Sequence, residues 1–335
     1  MAIRVVLVGL GPIGAAVAKQ LVERKGFQIV GAVEVDPLKV GKDAGDAMEM
    51  GRRLRVKVTD NIGKTLKATR PDVAILCTLS SLKRTMPQFE EVLKHRVPIV
   101  TTTEEAAYPA PSNRALAKRL DEAARKAKVA VLGTGVNPGF VMDKLVVTLA
   151  AVSQRIEHAK ALRIVDASKR RLPLQKKIGA GMTVEEFRAK VAEGVIKHVG
   201  LPESVAMIAD SLNLLVDEIT ETIEPKVATE RVQTEYITVE AGQAAGVHQI
   251  ARGLSNGKEL VYLELQMYVG AKDPADTVYL KGHPDISLVI PGGSHGDIAT
   301  ASVVVNSIPV ILDAPAGLRT ARDLPIGFFS PDALP

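Results

Sequence analysis

Two carboxylates side by side, Glu104 and Glu105, follow directly on the apolar run Ile99 to Thr102. A carboxyl group at such a place, its pKa raised by burial, can serve as a general base. The same pair can serve as helix N-terminal acids favoured by the dipole, and residue types alone leave the two readings level. A second chemical feature lies near the start, where Gly9-Leu10-Gly11-Pro12-Ile13-Gly14 follows the aliphatic run Val5 to Val8. Between a strand and a helix, that glycine spacing makes a cradle for a diphosphate: Gly9 for the tight turn, Gly11 for close approach, Gly14 for packing of helix on strand. Pro12 is tolerated because a first-turn N–H has no helical partner. Glu34, at the end of the run Ile29 to Val33, stands where an acid bonds ribose hydroxyls and repels a 2′-phosphate. This favours NAD. Asp36 competes for that role, although Asp36-Pro37 also reads as turn initiation, and Lys39 or Lys42 could neutralise a phosphate, which keeps NADP open.

These groups need a scaffold that brings strand ends together. The pattern predicts a helix over Ile13 to Lys25, then a strand at Arg55 to Val58, a helix at Ile62 to Thr69, and a strand at Val73 to Cys77. A helix at Met86 to His95, a strand at Ile99 to Thr102, a helix at Asn113 to Lys126 and a strand at Val129 to Leu132 follow. Such alternation implies an α/β fold, a Rossmann doubly wound parallel sheet. Ligands of such sheets bind beyond the carboxyl ends of the strands. Three stretches occupy such ends: Thr78-Leu79-Ser80-Ser81, Thr102-Thr103-Glu104-Glu105, and Gly133 to Gly139. Thr78, Ser80 and Thr102 are therefore candidate cofactor contacts beside Gly9, Gly11, Pro12, Ile13, Gly14 and Glu34.

The texture changes after Gly139. A helix from Val141 to Ala151 precedes strand-like stretches at Ala159 to Val165, Val227 to Val239, Leu260 to Val269 and Asp285 to Ile290, with helices near Val184 to Ala192 and Ser204 to Val216. Strands without intervening helices predict an α+β second domain with a mostly antiparallel sheet. The last helix, Ile298 to Leu312, follows Gly292-Gly293-Ser294-His295-Gly296-Asp297, which resembles an anion cradle but reads better as a hinge back to the first domain. The expected division is 1–139 plus 296–335 for dinucleotide binding and 140–295 for substrate binding and dimerisation.

Composition narrows the function. Of 335 residues 46% are hydrophobic, yet only 5 Tyr and 6 Phe are aromatic and Trp is absent. Single-stranded nucleic-acid binding needs aromatic stacking platforms, so it is not expected. The net charge of +5 is small for this length and fits anionic small molecules. The densest basic cluster, Lys169 to Lys177, can face such an anion or simply water. One cysteine, Cys77, excludes an internal disulfide and points to a reducing compartment, the cytoplasm by default. It closes an apolar run, which suits a buried strand residue better than a nucleophile. The six histidines show no metal-binding spacing, and the apolar start is broken by three glycines and a proline, so neither a metal nor a membrane span is expected.

Thr103-Glu104-Glu105, Tyr108-Pro109, Gly133-Thr134-Gly135-Val136-Asn137-Pro138-Gly139-Phe140, Gln175 to Gly181, His198 to Ser204, Gly317-Leu318 and Asp323-Leu324-Pro325 together resemble the 2,4-diaminopentanoate dehydrogenase family. Arg170 to Gln175 looks like that family's native amine dehydrogenase branch. The resemblance implies NAD(P)-dependent oxidative deamination of an amine to a ketone or aldehyde and ammonia, or the reverse reductive amination. It implies Glu104 as the catalytic carboxylate and places Asn137, Phe140 and Met142 in the substrate pocket, with His198 and Thr300 as further candidates. A homodimer is also expected, mostly by resemblance and because long strands leave edges to cover. The residues keep plainer readings too: Asn137 as a helix cap, Phe140 as core, Thr300 as an ordinary helix position and His198 as a structural histidine. Rival functions are 2,4-diaminopentanoate dehydrogenase proper, with Arg170, Arg171 or Lys177 holding its carboxylate, a dihydrodipicolinate reductase-like enzyme, and a dinucleotide sensor without chemistry. The second rival lacks its family's His-His and Lys-x-Asp-x-Pro-Ser-Gly motifs here.

Overall fold

Runs of aliphatic residues buried on both faces build the first sheet, as parallel strands covered by helices require. The computed structural model describes residues 2–109 and 113–328. β1 (Ile3–Val8) ends in four buried residues and leads through the glycine turn into α1 (Pro12–Glu23), which starts on its proline and buries Val17, Ala18 and Leu21. β2 (Phe27–Val33), the short α2 (Ala44–Ala47) and β3 (Val58–Thr59) follow. The strand expected over Arg55 to Val58 is shorter and later, because Arg55 adopts a positive φ of 59° that ends extended pairing. α3 (Ile62–Thr69) starts on Asn61, whose side chain accepts the Lys64 amide at 2.8 Å. β4 (Val73–Leu76), α4 (Leu82–Lys94), β5 (Ile99–Thr101), a 3₁₀ turn at Glu104–Ala106, α5 (Arg114–Ala127) and β6 (Ala130–Gly133) complete the alternation.

The chain divides into two units, one of residues up to Phe140 and from His295 onward, the other Val141–Ser294. Met1 and 329–335, the outer ends of the expected first domain, lie outside the described residues. The second unit opens with α6 (Lys144–Ala150), capped by Asp143, and β7 (Arg155–Asp166). Three helices follow: α7 (Leu172–Lys177), α8 (Val184–Ala192), whose Thr183–Glu186 capping box fixes its start, and α9 (Leu201–Leu212). Val227 to Val239 is not one strand. β8 (Glu218–Val227) ends there, and only β9 (Val232–Gln233) and β10 (Thr238–Val239) form a small pair beyond it, around the turn that the Thr234 hydroxyl organises. β11 (Ala244–Ser255), β12 (Lys258–Tyr268), β13 (Ala275–His283) and β14 (Ile286–Pro291) finish the unit.

The second sheet has the order β14-β13-β7-β12-β11-β8, antiparallel except where β12 runs parallel to β7. Its faces differ by parity. Val261, Leu263 and Leu265 of β12 are buried, on the side where Gly253 lies against Val205 of α9. Tyr262, Glu264 and Gln266 take the other side, where Glu264 accepts from Tyr262 and Gln266 and pairs with His248, and the Lys160 ammonium sits 4.9 Å from the Tyr262 ring centre. Beneath the buried face one ion pair is almost fully enclosed. Arg163 Nη1 donates to Asp276 Oδ2 at 3.1 Å, Nη2 donates to the Ser294 carbonyl at 2.7 Å, and the Ser294 amide donates to the same Oδ2 at 2.7 Å.

From Ser294 the chain enters α10 (Gly296–Leu312) and then β15 (Gly317–Arg319), both in the first unit. α10 packs on α1, with Gln20 donating to Ser302 at 3.0 Å and Arg24 to Asn306. The first sheet is parallel throughout, in the order β15-β6-β5-β4-β1-β2-β3. Order reverses between β1 and β4, which marks the switch point where such sheets bind ligands.

Breaking a buried ion pair from one side strands the other charge. Asp276→Ala should therefore destabilise the second unit by about 3–5 kcal/mol, read as a lowered urea midpoint. A midpoint like that of the parent protein would show that the pair does not anchor the Ser294 segment.

Candidate active site

The glycine turn closes because side chains are missing where backbones meet. A Cβ on Gly9 would lie 2.5 Å from the Cys77 carbonyl oxygen, one on Gly14 would collide with the Gly9 carbonyl, and Gly9 takes a φ of 88°. Gly11 is different. A Cβ there would meet nothing within 4 Å, so its small size serves no packing need, and the open space above it at the start of α1 fits a diphosphate approaching free N–H groups. Pro12 beside it is exposed and Ile13 half-buried.

Glu34 reaches back to this turn, accepting the Leu10 amide at 2.8 Å through Oε2 and the Val35 amide at 2.7 Å through Oε1. The Lys39 ammonium donates to the Leu10 carbonyl at 2.7 Å, so one loop residue is held by an anion and a cation together. Nothing in the sequence pattern singled out that contact. Asp36 accepts the Leu38 amide at 2.9 Å and makes the turn its neighbour Pro37 announces. Thr78 donates to Gln88 at 2.7 Å, which fixes the loop after β4. Burial pushes the Cys77 thiol up to about 12, against the opposing effect of its Thr102 hydrogen bond, so it stays protonated and is a poor nucleophile.

The two adjacent carboxylates separate in role. Glu105 Oε2 accepts the Leu82 amide at 2.7 Å and so caps α4, while its own amide donates to the Ser80 carbonyl at 3.2 Å. Glu105 is thus a helix N-terminal acid, but of α4, a helix 23 residues earlier in the chain. Glu104, half-buried, opens the 3₁₀ turn at the end of β5. Buried hydroxyls underlie that turn: Thr101 donates to the Leu76 carbonyl at 3.0 Å and pairs with Thr103 at 2.9 Å, and Thr85 donates to the Ser81 carbonyl at 2.9 Å. Gly133 lies against the same turn, since a Cβ there would strike the Ala106 carbonyl group.

The segment after β6 is folded tightly on itself. Gly139, at φ 123°, has no room for a Cβ against Gly135, and the Thr300 hydroxyl accepts the Val136 amide at 3.3 Å. Thr300 is therefore more than an ordinary helix position. Asn137 caps no helix; Asp143 does that for α6. Its amide is 8% exposed, and neither Oδ1 nor Nδ2 has a hydrogen-bond partner. An unmade buried bond of this kind costs about 1–3 kcal/mol. Phe140 is half-buried.

Met142 and His198 belong to the second unit, and Met142 is fully buried. Buried Gln249 grips the His198 backbone from both sides, accepting its amide at 3.0 Å and donating to its carbonyl at 2.8 Å, and donates to Glu221 as well. The imidazole Nδ1 has no partner. Burial lowers the His198 pKa to about 4, and the Lys177 and Arg163 cations push the same way. In the basic segment, buried Gln175 donates to the carbonyls of Ala167, Ser168 and Arg170 and accepts from Thr234, which fixes the loop carrying Lys169 to Arg171. Among the described residues no group of three or more His, Cys, Asp or Glu is placed to hold a metal ion.

Known proteins match along nearly the whole chain. The profile of the 2,4-diaminopentanoate dehydrogenase C-terminal domain matches residues 140–331, and that of the dihydrodipicolinate reductase N-terminus matches residues 3–133. The chain is 30% identical over 331 residues to the 2,4-diaminopentanoate dehydrogenase of Acetoanaerobium sticklandii, covering 97% of this chain and 94% of that one. It is 22% identical to an amine dehydrogenase of Streptomyces virginiae over 97% of this chain and 96% of that one. Among solved structures it is similar to the amine dehydrogenase from Mycobacterium smegmatis, with a TM-score of 0.87, 27% identity and 99% of each chain covered.

His198 gives this geometry a pH signature. An unfolded chain protonates it near 6.5 and the folded one only near 4, so stability falls as pH drops between those values. Melting temperatures at pH 7.5 and 5.0 should drop less in His198→Gln than in the parent; equal drops would contradict the assignment.

Proposed function

We propose an amine dehydrogenase whose proton chemistry centres on Glu104, from a plain premise: the chain belongs to the 2,4-diaminopentanoate dehydrogenase family. The observation that carries this reading is the separation of the carboxylate pair. Glu105 is committed to the α4 amide, while Glu104 opens a turn at a strand end, where ligands of such sheets bind. The chain's own residues fit a nicotinamide dinucleotide through the uncrowded Gly11, the Glu34 carboxylate and the amides that open α1. Bound there, the dinucleotide supplies the two-electron acceptor for the hydride leaving an amine carbon. What remains for the protein is proton traffic. Water adding to the resulting iminium carbon must lose a proton, and Glu104 takes it; the carbinolamine then expels ammonia and leaves a ketone or aldehyde. Run backwards, the same carboxyl group delivers protons during reductive amination.

Glu34 disfavours a 2′-phosphate and makes NAD the preferred cofactor, with Lys39 as the nearby cation through which NADP can be admitted. Thr78, Ser80 and Thr102 are the further cofactor contacts of this reading. Asn137, Phe140 and Thr300 of the first unit, and Met142 and His198 of the second, are its substrate contacts. The first unit takes the dinucleotide role, and the second the substrate and dimer role. A small amine, its ketone or aldehyde, and ammonia are the reacting partners; neither nucleic acid nor membrane is one. Among the described residues no helix is long and apolar enough to cross a membrane, and a cytoplasmic enzyme fits the single free cysteine.

A homodimer through the second sheet is part of the proposal. On the face that carries Tyr262 and Glu264, Tyr279 and Val289 are 44% and 51% exposed. Six strands about 4.8 Å apart and about 10 residues long at 3.3 Å each present roughly 900 Å², near the ~800 Å² per partner of a stable interface.

Glu104→Gln should abolish amine oxidation, by about 10² to 10⁴-fold, while NADH binding, followed by its fluorescence, stays within a factor of about three. Turnover near that of the parent enzyme would sink the Glu104 assignment. Cofactor reduction with simple alkylamines but not with 2,4-diaminopentanoate would place the chain in the amine dehydrogenase branch.

A further inference from the structure

Asn137 is a buried amide with nothing to bind. It is 8% exposed, yet its Nδ2 donor and its Oδ1 acceptor both lack a hydrogen-bond partner. Protein interiors satisfy the great majority of such atoms, and neighbouring groups along the same segment are satisfied. The Val136 amide donates to Thr300 and the Thr134 amide to the Thr101 carbonyl at 2.8 Å. The segment is also stiff, with Gly139 closed against Gly135 and Thr134 without room for a side chain. The amide is thus held in place rather than left over from a loose loop.

Its position is chemical. Asn137 follows β6, the strand paired with β5, whose end carries Glu104, and Gly133 of β6 touches the Glu104 turn. An amide offers a donor NH2 and an acceptor oxygen that do not ionise in the range where proteins work. A ligand able to satisfy both offers a hydrogen-bond donor and an acceptor at neighbouring positions. On the amine dehydrogenase reading, on which this step rests, the carbinolamine has both on a single carbon. We propose that Asn137 is a catalytic residue that binds this intermediate: Oδ1 accepts an N–H of the reacting nitrogen and Nδ2 donates to the carbinolamine oxygen. Glu104 moves the proton; Asn137 holds the atoms between which it moves. No proton or electron is transferred to Asn137, so its contribution does not titrate.

This predicts an uncommon combination of effects, because deleting unsatisfied polar atoms removes a cost of folding. Asn137→Leu, apolar and with the same branching and number of heavy atoms, should melt at or above the parent temperature and bind NADH as the parent does. Its kcat for reductive amination should fall by 100-fold or more. Asn137→Asp keeps an acceptor but gains an ionisation, so it should recover part of the activity with a new limb in the pH profile of kcat/KM. Parent-like turnover in Asn137→Leu overturns the proposal. So does an Asn137→Leu that loses stability and NADH binding together with turnover, the mark of a purely structural amide, and so does a parent-like rate and pH profile in Asn137→Asp. If the parent protein itself oxidises no amine, the functional reading falls first; a parent that does, with an indifferent Asn137→Leu, removes this inference alone.

Discussion

The first unit depends on close approach of backbone to backbone at the switch point of its sheet. β1, α1 and the end of β4 meet where Gly9 and Gly14 leave no side chains between them. Any Cβ there would separate helix from strand or push the β4 end away, and both movements would displace the loop that carries Thr78 and Ser80. Since Glu34 and Lys39 are fastened to Leu10 inside the same turn, their positions are set by this contact as well. A packing constraint thus becomes a positional one.

A second theme is how little charge is left to chance in each of the two units. The Glu105 carboxylate is committed to a helix amide, the Cys77 thiol is kept protonated by burial, and His198 is kept neutral by burial and by nearby cations. Hydroxyls, which carry no charge, do the work of support beneath Glu104: Thr101, Thr103 and Thr85 link the end of β4, the end of β5 and the start of α4. Such links are directional and insensitive to pH.

The doubly wound sheet was legible because its strands are continuous aliphatic runs and its first turn is punctuated by glycines. The second sheet was harder. β11 contains Ala244, Ala245, Gly246, Gln249 and Gly253, small or polar residues that carry no strand signal, although Gly253 packs where α9 approaches the sheet and Gly246 lies close against β12. β13 alternates exposed Tyr279 and Lys281 with buried Val278 and Leu280, a pattern easily lost in a polar stretch. The two glutamates could be found in the sequence but not told apart, because the group that distinguishes them is a backbone amide at Leu82. The same holds for His198, gripped by Gln249 from 51 positions away, and for Asn137, where the informative fact is an absence of partners. Spacing reports periodic burial; it is silent on contacts between residues far apart in the chain.

The packing of α10 on α1 has a consequence for biosynthesis. Gln20 and Ser302 are 282 residues apart, and Leu318 of β15 is fastened to Asp121 across 197. At a synthesis rate of about 5–20 residues per second, α1 must wait some tens of seconds with its outer face bare. The second unit, whose residues form one unbroken stretch, can be complete before that. The glycine turn, made long before α10, therefore belongs to the unit that closes last, and a chain interrupted before Ser302 presents a first sheet still lacking a helix and an edge strand.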